Sequence, residues 1–315
     1  MAATLAGVSL RALAVLLFAA QQEDAVFRVD VSLVTVPVQV STLDGAAAAR
    51  DLTRDDFELF DNGEARAIDS VWHETDLPLT LGLVIDVSGS QAEWVAAHGA
   101  ILADFLRRLM RKDDRAFLVT VGADVKLVSE LTGSLPALLT GLREAEAGEQ
   151  AGIPLGEQCP KVTMRFQSMV IPRCGGTVLW NAVWAAAKLK MQAVSGRKAL
   201  LILSDGIDTG SNHSLPEAVA ELHKAETVAY SIQYPRQSRR SALGLQRLAE
   251  ETGGLRFLPP EGSYEPVFAR IEEDLRNQYV LGFRPGGDGG HHRLEVRTRR
   301  EDVRMRARSG YFSGK

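Results

Sequence analysis

The chain is poor in cysteine and in long apolar runs, and it carries no excess of positive charge. Each shortage closes off a class of function. Only Cys159 and Cys174 occur in 315 residues, with neither the spacing nor the histidine neighbours of a zinc site. No apolar stretch is long enough to cross a bilayer comfortably as a helix. Net charge is -4 and the sequence pI is about 5.9, so no global attraction to nucleic acid exists. The Arg-rich stretch from Arg293 to Arg308 alternates in the manner of a solvated strand pair rather than a polyanion site. No G-x-S-x-G elbow, Walker A loop or H-E-x-x-H motif is present, so these common routes to catalysis are not available.

What is present is a globular chain with an export-like start. A hydrophobic content of 45% is ordinary for a protein with a real core. Residues 1–22 read as a signal peptide: Arg11, an apolar run from Ala12 to Ala20, then polar Gln21, Gln22, Glu23 and Asp24. Cleavage and retention as an N-terminal anchor both fit this segment. Either places the rest of the chain in an exported, periplasmic or extracellular location. Such a compartment is oxidising, so a Cys159–Cys174 bridge would persist there and contribute about 3 kcal/mol in the chain-entropy model. Two unrelated thiols are the other reading.

Three zones differ in rhythm. Residues 26–76 are β-rich: Val29 to Val36 and Val38 to Val40 alternate, and Asn62-Gly63 is a hairpin signal before a strand at Ile68 to Trp72. Residues 77–277 alternate strands with helices. Leu79 to Val87 and Ala199 to Ser204 are near-continuous apolar runs, as expected of parallel strands buried on both faces. Helical spacing at Gln91 to Met110, Leu135 to Arg143, Leu179 to Met191, Leu215 to Ala225, Leu243 to Glu251 and Val267 to Asn277 completes an α/β pattern, a doubly wound, mostly parallel sheet. Gly148 to Pro172 lacks periodicity and reads as a long loop or insertion. Residues 278–315 return to strands. Neither β-rich end is long enough for a good core alone, so the two are expected to form one β-sandwich around the α/β unit.

The chemistry gathers at strand ends. The strand from Leu79 runs out into Asp86-Val87-Ser88-Gly89-Ser90, and the strand from Ala199 into Asp205-Gly206. Between them Gly175-Gly176-Thr177 opens a helix. In open α/β sheets ligands bind beyond the carboxyl ends of the strands. Carboxylate and hydroxyl oxygens converging there suit a hard divalent cation. Each piece has a plainer role: Ser88, Ser90 or Thr177 as helix caps, and Asp205-Gly206 as a turn.

Together, Asp86-x-Ser88-x-Ser90, then Thr177, then Asp205 resemble the von Willebrand factor type A domain and its metal-ion-dependent adhesion site. The resemblance spans about Leu77 to Leu258. It implies that Ser88 and Ser90 bind the metal directly, that Thr177 does so when the site is engaged, and that Asp86 and Asp205 act through water. It implies Mg2+, with Mn2+ or Ca2+ as substitutes. Largely neutral direct ligands would leave the ion positive and open to an Asp or Glu of a partner protein. The flanks, including Leu52-Thr53-x-x-Asp56-Phe57, Leu275-Arg276-Asn277-Gln278-Tyr279 and Arg308-Ser309-Gly310-Tyr311, are similar to the VWFA-related bacterial family first described in acidobacteria. Gln91 departs from that family, which often carries Met there.

The expected function is therefore an exported, metal-dependent protein-binding or adhesion module and not an enzyme. A structural envelope protein with a loop-locking metal and a metal-assisted hydrolase are the alternatives. Asp208, Thr209 and Ser211 read as a solvated loop in preference to a second metal site. His291-His292 read as turn residues, His98 as structural, and Trp180 and Trp184 as core.

Overall fold

The run from Leu79 becomes the middle of a seven-stranded sheet. The computed structural model describes residues 33–43, 49–75, 77–88, 91–148, 152–156, 163–166, 169–172, 176–234, 239–259, 264–287 and 289–314. All of them fall in one unit, Ser32–Lys315. Residues 1–22, expected as a signal peptide, both cysteines, Ser90 and the side chain of His98 lie outside the described residues. Among the described residues no helix is long and apolar enough to cross a membrane.

In chain order the strands are β1 (Val34–Thr42), β2 (Phe57–Asp61), β3 (Glu64–Arg66), β4 (Ile68–Glu74), β5 (Leu79–Asp86), β6 (Arg115–Val121), β7 (Val125–Thr132), β8 (Ile153–Pro154), β9 (Thr163–Phe166), β10 (Met169–Pro172), β11 (Arg197–Ser204), β12 (Val228–Gln233), β13 (Arg256–Phe257), β14 (Gln278–Phe283), β15 (Gly290–Thr298), β16 (Val303–Ala307) and β17 (Gly310–Ser313). The helices are α1 (Ala92–Leu109), α2 (Leu135–Ala145), α3 (Leu179–Ala186, continued by a π-helical turn at Ala187–Met191), α4 (Leu215–Lys224), α5 (Arg239–Thr252) and α6 (Glu265–Arg276).

The large sheet runs β13-β12-β11-β5-β6-β7-β8, parallel from β13 to β6 and antiparallel at β7. Strand alternation decides which helices cover which face. Leu79, Leu81, Leu83 and Ile85 point to one side with Leu201 and Leu203, and meet α1, α2 and α6 through Phe105, Leu142 and Phe268. Val84, Leu200, Ile202 and Phe117 point to the other, against α3, α4 and α5 through Val183, Leu222 and Leu248. All eight residues of β5 are buried, which explains why its sequence shows no alternation.

The β-rich ends make two four-stranded sheets, β16-β1-β14-β4 and β17-β15-β2-β3. Each draws strands from both ends of the chain. Val36, Val38 and Leu281 of the first share one core with Phe57, Leu59 and Leu294 of the second. The sandwich is therefore closed only after the α/β layer has been traversed. The β2–β3 hairpin turns on Asn62 (φ 52°) and Gly63 (φ 87°), the left-handed pair that a tight two-residue turn requires.

Two expectations are corrected. The Gly148 to Pro172 stretch, expected as a long loop or insertion, is not a plain loop: β8 pairs with β7 at the sheet edge, and β9 and β10 form a separate antiparallel hairpin. His291 and His292 are not turn residues but lie in β15. His292 is buried, and its Nδ1 is 2.7 Å from Asp61 Oδ1. Burial alone would raise the Asp61 carboxyl, yet bonds from the Gly286 N–H, His292 and Tyr311 outweigh it and hold it below the ordinary carboxylate range.

Candidate functional site

The strand order reverses its direction of growth between β5 and β11. From β5 the chain adds β6, β7 and β8 on one side; it then returns through α3 to add β11, β12 and β13 on the other. The crevice at such a switch point, beyond the carboxyl ends of the two strands, is where open sheets bind ligands. Asp86 ends β5, and Ser204-Asp205 ends and follows β11.

Asp86 is fully buried on the α3 side of the sheet. Its Oδ1 accepts from the Ser88 N–H at 3.0 Å, and its Oδ2 accepts from the Ser204 hydroxyl at 2.7 Å. Burial pushes its carboxyl above the ordinary range. The bonds from Ser88 and Ser204 oppose that rise, and the charge of Asp205 adds to it. Among the described residues no Lys, Arg or His forms an ion pair with Asp86.

Asp205 is 2% exposed. Its Oδ1 accepts from the Ile207 N–H at 2.9 Å and its Oδ2 from the Gln91 amide at 2.7 Å. Ser204 is doubly used, since its hydroxyl also accepts from the Gly206 N–H at 3.0 Å.

Thr177 reaches the same edge from α3. The Val178 N–H donates to the carbonyl of Gly122, just past β6, at 2.9 Å, while Val121 sits opposite Asp86 in the sheet. Thr177 itself is clamped at its backbone: its N–H donates to Thr209 Oγ1 at 3.1 Å and its carbonyl accepts from the Thr209 N–H at 3.0 Å. Its hydroxyl has no hydrogen-bond partner among the described residues and stays available. The 205–214 loop is fastened further along α3. Asp208 Oδ1 accepts from the Trp180 N–H and the Ser211 hydroxyl, and Asn181 Oδ1 accepts from the Asn212 and His213 N–H groups. Asp208 and Ser211 thus satisfy the free N–H groups that open α3.

Gly176 makes the clamp possible. Its φ is +109°, and a Cβ there would lie 1.7 Å from Thr209 Oγ1. Gly176→Ala is expected to destabilise the protein by about 1–3 kcal/mol, mostly by prising Thr209 from Thr177. Thermal denaturation checks this; a variant within about 0.5 kcal/mol of the parent would show that the loop has slack.

Of the five residues marked in the sequence, Asp86 and Asp205 lie at the crevice with Ser88 half-buried beside them, and Thr177 stands at the adjoining edge. Two contributors were not marked. Ser204 ends a buried strand on the same face as Asp86, a position that alternation discloses. Gln91 occupies the inward position four residues before buried Val95, where an apolar residue would be ordinary.

The donor set fits a hard cation. It offers carboxylate and hydroxyl oxygens and no sulfur or imidazole. Among the described residues no three His, Cys, Asp or Glu side chains cluster around one point, so hydroxyls would have to complete any coordination sphere. A buried anion without a paired cation is costly unless a positive ligand joins it.

No protein-family model and no curated protein matches the chain. Similar solved structures include a von Willebrand factor type A protein from Catenulispora acidiphila (12% identity, 89% of this chain and 73% of that one, TM-score 0.47). An aerotolerance-related membrane protein from Bacteroides fragilis NCTC 9343 has 11% identity over 62% of this chain and 98% of its own (TM-score 0.43). The human COPII-coat protein Sec24c has 10% identity over 77% of this chain and 46% of its own (TM-score 0.46). At such values these likenesses say nothing about the site; the crevice is described from its own residues.

Proposed function

We propose that the chain is an exported von Willebrand factor type A-like module that holds a divalent cation, Mg2+ in the first place, at Asp86, Ser88, Ser90, Thr177 and Asp205, and uses it to bind an acidic group on a partner protein. The observation that carries this reading is the fully buried Asp86 carboxyl, with no paired cation among the described residues and the negative charge of Asp205 close enough to push it up further, at the sheet's switch point. The ion, when bound, supplies a positive centre with a coordination position left for an Asp or Glu of the partner. The chain's own residues do the rest. Ser204 and the Ser88 N–H orient Asp86, Gln91 and the Ile207 N–H orient Asp205, and Thr209 presents Thr177 with its hydroxyl uncommitted.

Binding is favoured over loop-locking because hydrogen bonds from Thr209, Asp208 and Asn181 already fasten the 205–214 loop to α3. It is favoured over hydrolysis because Asp86 has no described His or Lys beside it to trade protons. The test is calorimetric titration of the metal-stripped full chain with Mg2+ and Mn2+, paired with a pull-down from the native envelope. Saturable binding and a partner released by chelator are expected. A partner captured equally well in excess chelator would overturn the reading.

A further inference from the structure

Gln91 spans the crevice. Its backbone begins α1: its N–H donates to the Ser88 carbonyl at 2.7 Å, and its own carbonyl accepts from the Val95 N–H at 3.1 Å. Its side chain, 3% exposed, leaves the β5–α1 segment and donates to Asp205 Oδ2 on the far side of the switch point. One residue thereby ties the segment that carries Ser88 to the loop that carries Asp205. An inward helix position of this kind ordinarily takes an apolar residue, so burial alone does not explain the amide.

The Asp205 carboxylate is held from two directions. The Ile207 N–H takes Oδ1 and the Gln91 amide takes Oδ2. A carboxylate held at both oxygens is fixed in one orientation and cannot swing freely within the crevice. The bond also fixes the approach of the two segments and hence the size of the space between them. Mg2+ demands near-ideal octahedral geometry at short distance, whereas Ca2+ accepts irregular shells and favours more carboxylate oxygens.

We infer that Gln91 is a positioning residue that sets the ion selectivity of the crevice, fixing where the Asp205 carboxylate stands so that Mg2+ is preferred over Ca2+. This rests on the metal-binding reading above. Groups that orient ligands from behind commonly change metal affinity 10–100-fold when replaced.

The experiment uses the full chain, stripped of metal and titrated with Mg2+ and with Ca2+ alone, with a thermal melt of each metal-free variant. Gln91→Met keeps the volume and removes the donor. It should weaken Mg2+ binding roughly 10-fold and Ca2+ binding less, so that the Mg2+ to Ca2+ affinity ratio falls. Gln91→Glu puts a further carboxylate against Asp205 and should raise Ca2+ affinity relative to Mg2+. A merely structural Gln91 would lower the metal-free melting temperature and leave the ratio where it is. An unchanged ratio in both variants overturns the inference. If the Met variant fails to fold, the ratio in the Glu variant decides alone. Should the parent chain bind neither ion, it is the metal reading that fails, and the two failures are told apart.

Discussion

Replacing Asp86 by Asn is expected to abolish cation binding and, in the same protein, to raise the melting temperature measured in chelator. Asp86 is fully buried, with Asp205 close enough to raise its carboxyl further. Without an ion the fold carries that charge at a cost, because a buried anion without a cation is poorly solvated. Asparagine fits the same space. Its carbonyl oxygen can keep the Ser88 N–H and its amide can donate to the Ser204 oxygen, so the Ser204 hydroxyl proton must give up its acceptor, a smaller loss than the buried charge that is removed. Removing strain from a site held for function commonly stabilises by about 1 kcal/mol, or roughly 2 °C here. Mg2+ affinity should fall roughly 100-fold or more, since the residue that anchors Ser88 no longer carries charge. Two readouts therefore move in opposite directions. A variant that loses both metal and stability would mean that Asp86 serves the fold and not an ion.

How much of this was legible in the sequence follows from how local each signal is. The β5 run and the β11 run announced themselves because burial on both faces removes polar residues from a strand. Asn62-Gly63 was legible because few residues adopt its backbone. Asp86, Ser88, Thr177 and Asp205 could be placed at one edge because each follows a strand or opens a helix, and strand ends in a parallel sheet share an edge. What stayed hidden depends on partners distant in sequence. His292 reads as a turn residue beside the glycines at 286, 287, 289 and 290; the partner of its buried ring, Asp61, lies 231 positions earlier. The β9–β10 hairpin was missed because four-residue strands are too short to show a period. Gln91 looked incidental because its partner lies 114 positions away.

The other large effect concerns the junction where the chain enters and leaves the α/β layer, far from the crevice. Asp114, 2% exposed, precedes β6 at the opposite end of the sheet. Its carboxylate accepts from the Leu79 N–H at 2.7 Å, from the Arg111 N–H at 2.8 Å and from the Arg276 guanidinium. Arg276, at the end of α6, also donates to the Leu109 carbonyl at the end of α1. Arg197 at the start of β11 donates to the carbonyls of Leu275, at 3.1 Å, and Leu77. These bonds fix the first residue of β5 and the last of α6, and so fix the points at which the chain enters the α/β layer after β4 and leaves it before β14. Asp114→Ala strands a buried guanidinium and two N–H groups together. It should cost about 3–5 kcal/mol, a large share of the roughly 5–15 kcal/mol that holds a domain together. Asp114→Asn with Arg276→Met should recover part of that loss, because the asparagine carbonyl still serves Leu79 and no charge is left unpaired, while the Arg111 N–H loses its acceptor. The pH dependence has a definite sign. Burial would raise the Asp114 carboxyl, but Arg276 and the two N–H groups outweigh it and hold it below its ordinary value of 3.8. Its contribution is therefore fully present above that pH and is lost as pH falls through the lower folded value. In Arg276→Met the carboxyl moves back up, so the acid-dependent loss that Asp114 contributes should shrink and the stability of this variant should vary less with pH through that range than the parent's. Urea midpoints at neutral pH and through the acid range measure both effects, and an Asp114→Ala cost below about 1 kcal/mol would show that the junction is held by packing alone.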